Sequence, residues 1–140
     1  MEYRCFDNTY VVRLERGEEL TACLLQLAEA EMIDLASVQG IGAADHIVAG
    51  VYDVAEKQYH QQTFSGAFEI TALAGNLTRM DGKPYLHLHI TAADPHHGVI
   101  AAGHLNSATI SATAEIFVVA CKGRVGRRAD AEIGLNLLAF

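Results

Sequence analysis

The sequence predicts an α+β domain built on a mainly antiparallel sheet with one principal flanking helix. Three observations predict it: many short apolar runs rich in β-branched residues, turn signals between them, and one stretch with apolar residues at helical spacing. Of 140 residues, 51% are hydrophobic and 19% charged, enough apolar material for a core. That composition excludes a disordered tail, a collagen-like repeat and a disulfide miniprotein. Residues 1–140 suit a single domain, and no repeat, low-complexity tract or proline-rich linker divides them.

Each element follows in order. Thr9–Glu15, carrying Tyr10, Val11, Val12 and Leu14, reads as a first strand, and Arg16-Gly17 as the turn after it. Glu18 and Glu19 suit the positive end of a helix. Leu20, Cys23, Leu24, Leu27 and Ala28 then place that helix from residue 20 to about residue 32. Strands are expected over residues 35–41, 45–53, 57–64, 68–78, 85–93 and 113–121. Gly40-Ile41-Gly42, Ser65-Gly66 and Asp81-Gly82 read as turns between them. Residues 135–140 are apolar and would make a closing strand.

Lys plus Arg is 10 against 17 for Asp plus Glu, a formal charge of −7. Such a field repels phosphate backbones and anionic membranes, so nucleic acid is not the default partner. Cys5, Cys23 and Cys121 are odd in number and far apart, which suits reduced thiols in the cytoplasm, two of them in the core. No apolar leader opens the chain, so a signal peptide is not expected. Residues 95–114 carry no Asp, Glu, Lys or Arg, but histidines, Pro95 and Asn106 argue against a membrane span.

Seven histidines carry the chemical signal. Tyr85-Leu86-His87-Leu88-His89-Ile90-Thr91-Ala92 alternates strictly, so the apolar residues face the core while His87 and His89 share the other face. They stand two strand rises of about 3.3 Å apart, close enough to converge on one ion. His104 follows Gly103, which lets other groups approach closely. Three neutral nitrogens with an open fourth position form the pattern of a ligand-binding divalent metal site. The alternative is a polar strand face open to solvent. His96 and His97 read as exposed turn residues after Pro95, and His46 and His60 have no partner in sequence.

Glu69 and Glu115 sit inside apolar strands and are the catalytic candidates. Either would accept a hydrogen bond from a ligating imidazole or act as a general base, or else point to solvent or a subunit contact. Lys122, Arg124, Arg127 and Arg128 cluster in a short run that suits either phosphate contact or a solvated hairpin loop.

Several stretches taken together resemble the plants-and-prokaryotes conserved (PPC) domain family, prokaryotic stand-alone type. They are Val12-Arg13-Leu14-Glu15-Arg16-Gly17-Glu18-Glu19-Leu20, Gly40-Ile41-Gly42-Ala43 and the run from Phe68 to Asn76. Asp81 to His89, Gly103-His104-Leu105 and Thr113-Ala114-Glu115 complete the set. The resemblance implies a homotrimer, and a divalent metal, usually zinc, on His87, His89 and His104. Plant relatives are nuclear AT-hook proteins, but this chain lacks the Arg-Gly-Arg-Pro core of an AT-hook, and Ala102 replaces a glycine common before the histidine.

Two functions follow as expectations. One is a trimeric zinc protein taking a small anionic or carbonyl-bearing ligand, with no nucleophile motif or phosphate loop beside the histidines. The other is a DNA-binding or regulatory module acting through the basic loop. A cupin also uses His-x-His on a strand, but it places a glutamate where Ala93 and Asp94 stand here.

Overall fold

Local chemistry at residues 1–34 sets up the rest of the computed structural model, which describes residues 1–140. β1 (Glu2–Phe6) and β2 (Thr9–Glu15) form an antiparallel hairpin. β1 has no buried residue, so no apolar alternation marks it in the sequence. β2 has the expected bounds and buries Val12 and Leu14. α1 (Leu20–Ala30) begins at Glu19, whose carboxylate accepts from the Thr21 and Ala22 amides at 2.9 and 2.7 Å. That carboxylate also takes the Ala108 amide at 3.1 Å, tying the helix start to a strand far along the chain. Glu18 pairs with the terminal amine of Met1.

Four long strands make the body: β3 (Ala36–Asp53), β4 (Gln58–Met80), β5 (Lys83–Asp94) and β6 (Val99–Ala120). Sequence reading splits β3 and β4 at glycine-containing turns, and the structure does not. Gly40-Ile41-Gly42 stays in β3 as a register shift, because β4 and β6 pair with β3 on both sides and hold it extended. The glycines there serve close approach: a Cβ on Gly42 would stand 2.7 Å from the Ala114 Cα. Ser65-Gly66 is likewise absorbed into β4. Asp81-Gly82 is a turn as expected, with both residues at positive φ (51° and 80°).

The sheet runs β1-β2-β6-β3-β4-β5, every pairing antiparallel, and β5 also pairs with β6. That last pairing closes β3, β4, β5 and β6 into a ring. α1 packs against β5 and β6 through Leu20, Leu24, Leu27 and Ala28, all buried in one core cluster of 26 residues. At the helix C-terminus Arg79 of β4 donates to the Glu29 carboxylate at 2.9 Å and the Ala28 carbonyl at 3.4 Å. Its Nε stands 3.0 Å from Asp34 Oδ1, an ion contact without hydrogen-bond alignment. A cation there complements the helix dipole.

The turn after β5 hangs on Asp94, buried at 2% exposure, which accepts the His96 and His97 amides at 2.9 and 3.2 Å. The His97 ring 2.7 Å away holds the Asp94 carboxyl below the usual carboxylate range. A separate hairpin, β7 (Gly126–Ala129) with β8 (Asn136–Ala139), ends the chain, so the expected closing strand joins a sheet of its own. The cysteines also depart from expectation. Cys5 lies on wholly exposed β1, Cys121 lies exposed past the end of β6, and Cys23 is half-buried, so none is a core residue. No helix is long and apolar enough to cross a membrane.

Leu24 is 1% exposed at the centre of the helix contact. Leu24→Ala is expected to lower the unfolding free energy by about 2–5 kcal/mol. Urea denaturation checks it through a lower midpoint at unchanged slope.

Candidate metal centre

The alternation of β5 carries out what its sequence requires. Leu88, Ile90 and Ala92 are buried in the core, and His87 and His89 project from the opposite face. Ring closure supplies the third imidazole, because His89 lies directly across from His104 in the β5–β6 register. On its other side His104 pairs with Gly50 of β3. Gly103 makes this approach possible. It holds φ 136°, and a Cβ there would stand 2.6 Å from the Gly50 carbonyl oxygen.

The ring centroids lie 5.3 Å apart for His87 and His89, 5.2 Å for His87 and His104, and 5.8 Å for His89 and His104. One nitrogen of each lies within 4.8 Å of the others. Burial, followed by the neighbouring imidazoles and Arg127, pushes His87 and His104 below the ordinary histidine range. The shift favours the neutral imidazole, the form that can ligate a metal. No thiol or carboxylate joins the cluster. Three imidazole nitrogens fit a divalent cation with a position left for a ligand.

The histidines line a cavity of about 760 Å³. Tyr59 stands edge-on to His104 at 6.1 Å and donates its hydroxyl hydrogen to Asn106 Oδ1 at 2.6 Å. Asn76, Tyr85, Arg127 and residues 135–138 form further walls. Alternation also explains Tyr85, which shares the face of His87 and His89 and was legible on that ground. Asn106 follows His104 by two residues on β6, so the same spacing offers it, whereas Tyr59 and Asn76 come from β4, which no sequence spacing ties to the histidines.

The carboxylates expected beside the histidines are elsewhere. Burial of Phe68 and Ile70 turns Glu69 outward, and burial of Ala114 and Ile116 does the same to Glu115. Glu69 neighbours Ala93 across the sheet, and Glu115 neighbours Arg13 and Ile41. Neither lines the cavity. The basic run also divides. Lys122, Arg124 and Arg128 are exposed, while Arg127 turns into the cavity. It does so because strand β7 sends Arg127 and Arg128 to opposite faces.

Comparison with known proteins adds to this geometry. A family model described as the Plants and Prokaryotes Conserved (PCC) domain matches residues 1–122. A candidate DNA-binding protein from Bacteroides thetaiotaomicron has a solved structure at TM-score 0.94 and 31% identity, over 99% of this chain and 96% of that one. A metal-containing protein from Archaeoglobus fulgidus is similar at TM-score 0.89 and 30% identity, over 99% and 97% of the two chains. A plant- and prokaryote-conserved protein from Pyrococcus horikoshii is similar at TM-score 0.85 and 27% identity, over 99% and 95%. No curated protein matches the sequence. With a family match over most of its length and the same fold in whole-chain relatives, this chain belongs to the Plants and Prokaryotes Conserved domain family.

Proposed function

We propose that this chain is a small metal-binding protein, with zinc as the metal, that takes a small anionic or carbonyl-bearing ligand into the histidine cavity. The observation that carries this reading is the convergence of His87, His89 and His104 within 4.8 Å at the wall of a cavity of about 760 Å³. The metal-containing Archaeoglobus relative supports it. His87, His89 and His104 would hold the cation, which when bound supplies Lewis acidity and positive charge toward an oxygen-bearing ligand. The chain's own residues shape the cavity. Tyr59, fixed by Asn106, packs against the His104 ring, and Asn76 and Asn106 offer amide groups.

Purified protein is expected to carry zinc at up to one ion per chain, and His87→Ala to lose most of it. Elemental analysis of the two proteins side by side is the check. Equal metal content would remove His87 from the site and with it the three-histidine centre.

A homotrimer belongs to the same reading. Its support in this chain is apolar surface on the outside of the sheet and at its edges. Ile41 of β3 and Phe117 of β6 are diagonal neighbours, 58% and 42% exposed, and Phe6 and Ile100 are exposed at 60% and 66%. Covering such a surface is a common reason for association. Light scattering is expected to give about 45 kDa, three times the chain mass of 15.1 kDa. A mass of one chain at micromolar concentration would count against assembly. Cytoplasmic residence also fits, because all three cysteines are unpaired.

The candidate DNA-binding relative and exposed Lys122, Arg124 and Arg128 favour a second reading, as a nucleic-acid module. The charge of −7 per chain opposes it, since phosphate neutralisation dominates DNA affinity. Titration of labelled duplex at about 150 mM salt is expected to show only weak, salt-sensitive binding. Submicromolar, sequence-selective binding lost on joint Arg124→Ala and Arg128→Ala substitution would reverse the ranking.

A further inference from the structure

Arg127 is a half-buried cation without an acidic partner. Its guanidinium lies over the Tyr85 ring, with Cζ 4.6 Å from the centroid. Nε donates to Thr78 Oγ1 at 2.9 Å, Nη1 to the Asn136 carbonyl at 2.7 Å and Nη2 to Asn76 Oδ1 at 2.8 Å. All three acceptors are neutral, and Arg127 enters none of the ion pairs of the chain. A guanidinium has five N–H groups, so one hydrogen remains free on each terminal nitrogen. Withdrawing a charge from water without a counter-charge is costly. The next residue, Arg128, avoids that cost by standing in solvent.

The arm that carries Arg127 is held in place. Asp130 closes the hairpin through its amide to the Leu135 carbonyl at 2.9 Å, and its carboxylate accepts the Glu132 and Ile133 amides at 3.0 and 2.9 Å. Lys57 Nζ donates to the Ala131 carbonyl at 2.9 Å, pinning the hairpin tip to the β3–β4 turn. Gly134 sits against Tyr52 so closely that a Cβ would stand 2.0 Å from the tyrosine oxygen. The hairpin adds Leu135, Leu137 and Leu138 to the cavity wall. It also lies wholly beyond residue 122, where the family match ends.

We propose that, given a ligand-binding role for the histidine cavity as above, the β7–β8 hairpin is its selecting wall and Arg127 anchors the carboxylate of a small organic acid with an apolar body. Arg127 is the only Lys, Arg, Asp or Glu side chain lining the cavity. Its two free N–H groups are enough in number for the two oxygens of one carboxylate, and its single charge balances that group. A phosphate dianion would leave charge uncompensated on this side. The leucines of β8, with Val51 opposite in the lining, suit a hydrocarbon body.

Calorimetric titration of the full chain tests this, zinc-loaded and after chelation. The probes are acetate through hexanoate, their 2-hydroxy forms, the corresponding methyl esters and inorganic phosphate. At least one acid is expected to bind in the zinc-loaded protein while its ester does not. Arg127→Gln should weaken that acid at least about tenfold with zinc content unchanged. Arg16→Gln, which removes an exposed arginine from the turn after β2, should bind as the unaltered protein does. Arg127→Lys, if Arg127→Gln unsettles the hairpin, should keep the preference for acid over ester. Absence of binding by every acid, equal binding of acid and ester, phosphate tighter than any acid, or unchanged affinity in Arg127→Gln would each overturn the anchor. Metal content separates this failure from the other: zinc retained in His87→Ala sinks the three-histidine centre, whereas unchanged acid affinity with zinc in place sinks only Arg127.

Discussion

One backbone pairing, His89 of β5 against His104 of β6, fixes everything at the site. Without it β5 would be the edge of an open sheet, and the third imidazole would stand apart from the other two. With it, β3, β4, β5 and β6 form a closed ring whose inner side takes the core and α1. The face carrying His87 and His89 is then left for chemistry. The same closure forces β6 onto β3 so tightly that only glycine fits at residue 103. Backbone sterics and imidazole placement are therefore a single constraint.

Charge is distributed to match. The chain is acidic as a whole, at −7, yet the histidine cavity is lined by three imidazoles and a guanidinium and by no carboxylate. The outer field disfavours polyanions, while the cavity wall is locally cationic at Arg127. Burial first, then the neighbouring rings and Arg127, lower the pKa of His87 and His104, so the guanidinium acts on the cavity wall and on the histidine cluster together. Mutual repulsion of cationic forms is relieved by keeping the imidazoles uncharged.

Much of this was legible in the residues. Strict alternation from Tyr85 to Ala92 gave the histidine face, and helical spacing with acidic residues before it gave α1 with Glu19 at its start. The misses have physical causes. Glycines in β3 and β4 read as turns because sequence does not reveal that strands on both sides will hold them extended. β1 was invisible because both its faces meet solvent. Arg127 read as one of a solvated basic run because the acceptors that draw it inward, Thr78, Asn76 and Asn136, come from β4 and β8. Glu69 and Glu115 looked like intruders in apolar strands, although ordinary period-two alternation accounts for them.

The position of β6 in the ring has a consequence for how the molecule is made. β2, β3 and β5 each have one ladder with a strand that precedes β6 in the chain and reserve the other for β6. During synthesis from the N-terminus, three strands therefore wait with unpaired edges until residues 99–120 have left the ribosome. Residues 9–15 wait longest, because their partners are residues 113–119. Such edges are templates for pairing with other chains. A chain halted before β6 leaves three of them open at once, so partial translation products of this protein are destined for chaperone capture or aggregation rather than for a soluble fragment.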